Sequence, residues 1–288
     1  MSIKIVTDSA CDLSIDYVNK NNIEVLPLLV NINGEFIKDD LGQTISHNEF
    51  YKLIREGAMP STTQVNVGEF MEVFETSIKK GEDILYIGLS SALSGTYNSA
   101  VKAKEILLED YKKANIYLVD SLSVSVGEGL LVNMAVDLVK EGKDILTIVR
   151  EIERIKKKVI HSIVVDDLNH LKRGGRVSGA VAAVGSLLNI KPTLKIDEDG
   201  KAVAGEKIKG RKRAIKYLLN EVREKAVNIE DQVIYICNAD CLEDAKELKN
   251  MILQEVNPKK VKVNNIGSVI GAHGGPGTLA VVFIGEKR

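Results

Sequence analysis

The sequence predicts an α/β protein of two domains: an N-terminal domain built on a parallel sheet, residues 1–158, and a C-terminal α+β domain with a mixed sheet, residues 159–288. Three observations predict it. The chain has 288 residues, about twice an average domain. Over its first half, strand and helix periodicities alternate, which implies parallel pairing with helices on both sheet faces. After residue 158 that alternation gives way to hairpin signals and closely spaced strands.

In the first domain, strand patterns cover 3–7, 24–32, 84–89 and 116–120, and helical patterns cover 15–21, 48–55, 67–79, 97–109, 128–140 and 144–158. Ser46 with Glu49 has the spacing of a capping box, and Asn66 with Glu69 is a similar start signal. Asn33-Gly34 between short β-type runs marks a hairpin turn. In the second domain, 161–166 reads as a strand, 168–176 follows without an assigned element, and 178–188 reads as a helix rich in small residues. Asp197-Glu198-Asp199-Gly200 is a turn between strands 194–196 and 203–208. A helix at 211–225, a strand at 233–237, a helix at 242–256 and strands at 261–266 and 279–284 complete the domain. No repeat or low-complexity linker divides the halves, so the domains are expected to pack directly.

Composition excludes several function classes. Lys+Arg (39) and Asp+Glu (40) nearly cancel, so no global field draws the chain to nucleic acid or an anionic membrane. Aromatic residues are 5% with no Trp, which counts against a base-stacking surface. Cys11, Cys237 and Cys241 are few and odd in number, as in a reducing compartment. The N-terminus reads as a strand without the apolar region of a signal peptide. Residues 263–285 carry no formal charge, but asparagines, Pro276 and dense glycines argue against a membrane span. A cytoplasmic protein without a transmembrane segment is expected.

Three polar segments stand out: Ser94-Gly95-Thr96-Tyr97 after the run 84–89, Pro60-Ser61-Thr62-Thr63-Gln64, and Gly271-Ala272-His273-Gly274-Gly275-Pro276-Gly277. They offer neutral donors and close backbone approach where strands hand over to helices, a setting that suits holding a small anion. Each has a plainer reading. Ser94 serves as a helix cap, and Thr62-Thr63-Gln64 as a pre-helix turn. His273, in a glycine-rich loop, lacks the apolar packing of a core histidine. No phosphate loop is present, and Gly275-Pro276-Gly277-Thr278-Leu279-Ala280 matches a dinucleotide fingerprint by letters but precedes a strand. The four histidines show no metal-ligand spacing, and Cys237 with Cys241 is a lone pair that cannot complete a tetrahedral site. Residues 207–213 with Lys216 form the densest basic cluster, a solvated helix face or a partner-docking surface. The small residues of 178–188 serve close helix packing or leave an apolar channel.

Taken in order, the motifs resemble the DegV family, specifically the fatty-acid-binding (FakB-type) subunit of bacterial fatty acid kinase. The resemblance runs through Ile5-Val6-Thr7-Asp8-Ser9, Asp12-Leu13, Leu26-Pro27-Leu28, Thr62-Thr63-Gln64, Leu93-Ser94-Gly95-Thr96-Tyr97 and Asp120-Ser121. It continues in Leu168-Asn169-His170-Leu171-Lys172-Arg173-Gly174-Gly175-Arg176-Val177-Ser178, Asn189-Ile190-Lys191-Pro192 and the segment around His273. Thr63 stands where the family more often has Ser, Gly274 where Thr is frequent, and Lys209-Gly210-Arg211 where an Arg-Thr-Arg motif is usual.

The resemblance implies an acyl chain in a tunnel between the two domains. Its carboxylate would be held by Thr62, Ser94 and His273, with Thr63, Gly95, Thr96 and Gly274 nearby. It further implies docking of a separate ATP-dependent kinase at Lys209, Arg211 and Arg213, with no cofactor or catalytic residue in this chain. Burying ~14 methylenes contributes on the order of 10 kcal/mol before association costs, so the tail can supply the affinity. Two other readings stay open. A serine-type lipid ester hydrolase would use Ser94, His273 and an acid such as Asp8, although the G-x-S-x-G elbow is missing. A sensor of a non-lipid small molecule is the other.

Overall fold

The computed structural model describes residues 2–166, 168–178 and 189–288. Residues 179–188, which carry the expected small-residue helix after its first position, lie outside them. The N-terminal part runs β1 (Ile3–Asp8), α1 (Ile15–Lys20), β2 (Glu24–Leu26), β3 (Leu29–Ile32), β4 (Glu35–Lys38), α2 (His47–Arg55), β5 (Ser61–Thr63), α3 (Val67–Lys79), β6 (Asp83–Gly88), α4 (Thr96–Asp110), β7 (Ile116–Asp120), α5 (Val126–Lys140) and α6 (Ile145–Lys156). The C-terminal part runs β8 (Val159–Val164), α7 (Asn169–Gly174), β9 (Val177–Ser178), β10 (Ile190–Ile196), β11 (Ala202–Lys209), α8 (Arg211–Lys225), β12 (Val233–Asn238), α9 (Leu242–Glu255), β13 (Lys260–Asn265), α10 (Ser268–Gly274) and β14 (Leu279–Ile284).

Two α/β domains result. The first carries a parallel sheet of order β2-β1-β6-β7 and a small antiparallel sheet, β4-β3-β5; the second carries a mixed sheet, β13-β12-β14-β8-β10-β11-β9. We propose residue 158 as the domain boundary, because α6 ends just before it and Val159 opens the first strand of the mixed sheet.

Local chemistry explains most elements. Asn66 accepts from the Glu69 amide at 3.1 Å and Glu69 returns the bond to the Asn66 amide at 2.9 Å, closing the capping box of α3. Asn33 (φ 55°) and Gly34 (φ 94°) supply the two positive angles of the β3–β4 hairpin. The strand expected over 24–32 is instead two strands in different sheets. Pro27 has no N–H to offer a ladder, and the next amide, Leu28, donates to Ser9 Oγ at 3.0 Å, so the chain leaves the parallel sheet there.

The mixed sheet is apolar on both faces. Ile160, Val164, Ile234 and Phe283 pack under α8 and α9, whereas Tyr235, Cys237, Ala280 and Val282 join the core of the first domain. The hydrophobic core is therefore continuous across the junction. Polar ties reinforce it: the Arg288 guanidinium donates to the carbonyls of Leu122, Lys156, Val159 and Asp197. Among the described residues, no helix is long and apolar enough to cross a membrane.

Candidate ligand-binding site

In a parallel sheet ordered β2-β1-β6-β7, the winding reverses between β1 and β6, and ligands bind outside the carboxyl ends of strands at such a point. The loops leaving β6 and β7 bring Leu93, Ser94, Val124 and Ser125 to one wall of a cavity of about 310 Å³. The facing wall comes from the mixed sheet. Side chains alternate along a strand, so His161 and Ile163 of β8 and Ala280 and Val282 of β14 point into the same space. They lie side by side, with His161 opposite Val282 and Ile163 opposite Ala280.

The polar end is built from distant segments. Thr62 sits on β5, beside Val30 of β3. Its hydroxyl lies 2.9 Å from His273 Nε2. His273 is on the last turn of α10, not in a loop as the glycine-rich sequence suggested. Burial, and after it the charge of Arg176 and His170, pushes its pKa down from 6.5 to about 4, so the imidazole is held neutral. Its Nδ1 is buried with no hydrogen-bond partner among the described residues. The ring packs so closely on Gly174 that a Cβ there would lie 2.2 Å from Nδ1.

Ser94 stands one residue before the N-cap of α4, which is Gly95. Its Oγ accepts from the Thr96 amide at 3.3 Å, satisfying one orphan donor at the start of α4, and the same Ser94 lines the cavity. Thr96 itself is fully buried behind it, with its hydroxyl 2.9 Å from Ser94 Oγ. Gly95 lies under the Gln64 amide, where a Cβ would come within 2.1 Å of Gln64 Oε1. Gln64 in turn donates to Ser99 at 2.9 Å. Thus Thr62, Thr63, Ser94, Gly95, His273 and Gly274 line one cavity, and Thr96 supports it from behind.

The basic cluster lies elsewhere. Lys209 and Arg213 are exposed at the end of β11 and on α8. Arg211 turns inward, donating to Asp244 Oδ2 and to the Gly277 carbonyl, both at 2.8 Å. A hydrolase triad is not assembled. The hydrogen bonds of Asp8 run to Ala10, Tyr86 and Leu89, and His273 Nε2 meets Thr62 rather than Ser94.

Sequence reasoning missed a cation at this end. Arg176, in the 168–178 motif, lines the cavity and donates to the Leu93 carbonyl at 3.3 Å. The site is therefore not built from neutral donors alone. Ser125, one of the residues that carry the family resemblance, had no role assigned from sequence. It stands at φ 56°, an unusual angle for a residue with a side chain, and hydrogen-bonds to Asp12 and Cys237.

Fold and site define a class: two-domain α/β proteins closed around an apolar cavity with one polar end. The chain belongs to the DegV family, whose model, described as "Uncharacterised protein, DegV family", matches residues 2–286. It is 45% identical over 284 residues to a DegV domain-containing protein of Clostridium perfringens, covering 99% of this chain and 98% of that one. Among solved structures it is similar to a DegV family protein from Thermus thermophilus described for its fatty acid binding, with 31% identity, a TM-score of 0.89 and coverage of 99% and 100%. DegV of Bacillus subtilis, a fatty acid binding protein, is similar at 31% identity and a TM-score of 0.84, with coverage of 99% and 100%.

Proposed function

We propose that this chain binds a long-chain fatty acid in the cavity, carboxylate toward Thr62, Ser94 and His273, and presents it to a separate ATP-dependent kinase. The observation that carries the reading is one cavity with hydroxyls and a neutral imidazole at one end and apolar strand residues beyond. From Thr278, at the polar end just before β14, to Val282 on that strand is four residues, about 13 Å at the rise of a strand, enough to sheathe roughly ten methylenes. The volume, about 310 Å³, lies at the lower end of the range of small-molecule sites. Fatty acid binding by the Thermus thermophilus and Bacillus subtilis relatives supports the same ligand class.

In the proposed reaction a carboxylate oxygen attacks the γ-phosphorus of ATP on the kinase. The bond to the β,γ-bridging oxygen breaks, giving an acyl phosphate and ADP. This chain's part is to bury the tail and orient the head group. Hydroxyl donors and a neutral imidazole leave an oxygen freer for attack than a bidentate guanidinium would, and the one guanidinium at this end, Arg176, is turned to the Leu93 and Gly174 carbonyls. An ATP-using partner puts the carrier in the cytoplasm, in keeping with three free cysteines. Mass spectrometry of ligand extracted from freshly purified protein should find a C14–C18 acid, and delipidated protein should rebind it. Failure to bind any acid of that range would sink the reading.

A further inference from the structure

The helix that carries His273 belongs to the C-terminal domain, but its first turn is held by side chains of the N-terminal one. The Gly267 amide donates to Asp12 Oδ1 at 2.8 Å, and the Val269 amide donates to Asp39 Oδ2 at 3.2 Å. The hydroxyls of Ser268 and Ser9 also hydrogen-bond to Asp39. Asp12 is itself fixed: Ser125 Oγ donates to its second carboxyl oxygen, and Asn264 Nδ2 donates to its carbonyl at 3.1 Å. Both acids are buried, at 5% and 3% exposure.

No side chain of its own caps α10, because its N-cap is Gly267. That glycine is what lets the acids approach: a Cβ there would lie 2.7 Å from Asp12 Oδ1 and 3.4 Å from Asp39 Oδ2. Just before the cap, Tyr51 of α2 donates to the Ile266 carbonyl at 2.8 Å. At the other end of the same seven-residue helix, His273 Nε2 meets Thr62 at 2.9 Å. The N-terminal domain therefore grips α10 at both ends, about 7.5 Å apart along its axis.

We propose that Asp12 and Asp39 are positioning residues for the head-group site. They fix, across the domain junction, the start of the helix whose last turn carries His273, and so set where the imidazole stands relative to Thr62. Nothing in the local sequence 267–274, with its three glycines, favours a helix strongly enough to do this unaided. The proposal rests on the fatty acid reading for its ligand and on the geometry alone for its mechanism.

The test separates head from tail. Hexadecanoate and 1-hexadecanol compete for the cavity against a fluorescent acyl probe, in wild type, Asp39→Ala and Asp39→Asn. Losing one capping acceptor should weaken hexadecanoate about five- to thirty-fold, and hexadecanol should move less than about two-fold on the same basis. Asn keeps a carbonyl acceptor and should restore the acid's affinity. In parallel, the His273 imidazole resonances should shift in Asp39→Ala and return in Asp39→Asn. Ser268→Ala, which strips one hydroxyl from Asp39 and removes a single buried atom, is the milder variant and should show the same split. Equal loss of both ligands, or no loss of either, overturns the proposal. If wild type binds neither ligand, the fatty acid reading has failed; an unmoved His273 resonance in Asp39→Ala would then overturn the positioning role by itself.

Discussion

Loading the cavity with a fatty acid should draw a proton toward His273. The imidazole of the protein alone is held neutral, its pKa lowered from 6.5 to about 4 chiefly by burial and further by Arg176 and His170. That shift corresponds to about 3 kcal/mol in favour of the neutral ring. A carboxylate delivered beside Nε2 works the other way, because an anion within ~4–6 Å raises a neighbouring pKa by ~1–3 units. The loaded site is thus expected to titrate between about 5 and 7. Linkage then strengthens acid binding as pH falls from 7 toward 5, by up to about ten-fold for each unit the pKa is raised. The gain ends where the ligand's own carboxyl protonates, and 1-hexadecanol should show none of it.

Imidazole titrations by NMR, with and without dodecanoate, check this directly. Only four histidines are present, and His273→Gln identifies the signal. An empty-site His273 titrating near 6.5, or a pKa that dodecanoate leaves in place, would refute the reasoning. Stability follows with a definite sign. The His273 contribution is full above 6.5 and is lost as pH falls through about 4, and that of His161 is lost lower, near 3. Asp8 and Asp39, raised by burial from 3.8 to about 6, act oppositely: their contribution is full below 3.8 and is lost as pH rises through about 6. The His273→Gln difference, not the raw melting curve, isolates the histidine.

Gly127→Ala should destabilise the protein. A Cβ there would lie 2.0 Å from Nε2 of the buried His161, and overpacking of about 1–3 kcal/mol outweighs the ~1 kcal/mol that Ala gains over Gly in a helix. A melting temperature equal to wild type would show that the ring has room to move. Reversing the exposed charges Lys209 and Arg213 to Glu should leave fatty acid affinity unchanged while slowing kinase-coupled acyl phosphate formation in a salt-dependent way. Equal loss of binding and coupling would instead tie these side chains to the fold or the pocket.

Where structure is dictated by neighbours in sequence, it was legible. The alternation of the first half, the Asn66–Glu69 box and the Asn33-Gly34 turn all act within a few residues, and each is found. The misses have non-local causes. Pro27 splits a strand because the next amide finds Ser9 rather than a ladder partner. Strand β5 is three residues long and exists only by pairing with β3, some 32 residues earlier, so it has no periodicity of its own to read. Arg211 looked like one more surface cation in a basic run, yet Asp244 and Gly277 turn it inward. Arg176 stood within a quoted motif, but only the folded chain brings it beside Leu93.

The site divides along the same line. Ser94 at the start of α4 is a local feature, visible as a hydroxyl between a strand run and a helix run. The Thr62–His273 pair is not, because 211 residues separate its members and no spacing rule spans that distance. Only the family resemblance brought the two together. The segment 271–277 has the composition of a loop, and on its own propensity it should be one. It is helical through residue 274 because buried carboxylates from the other domain receive amides at its start. Helix, imidazole position and domain junction are thus consequences of one set of contacts, which is why none of the three is legible in residues 267–274 alone.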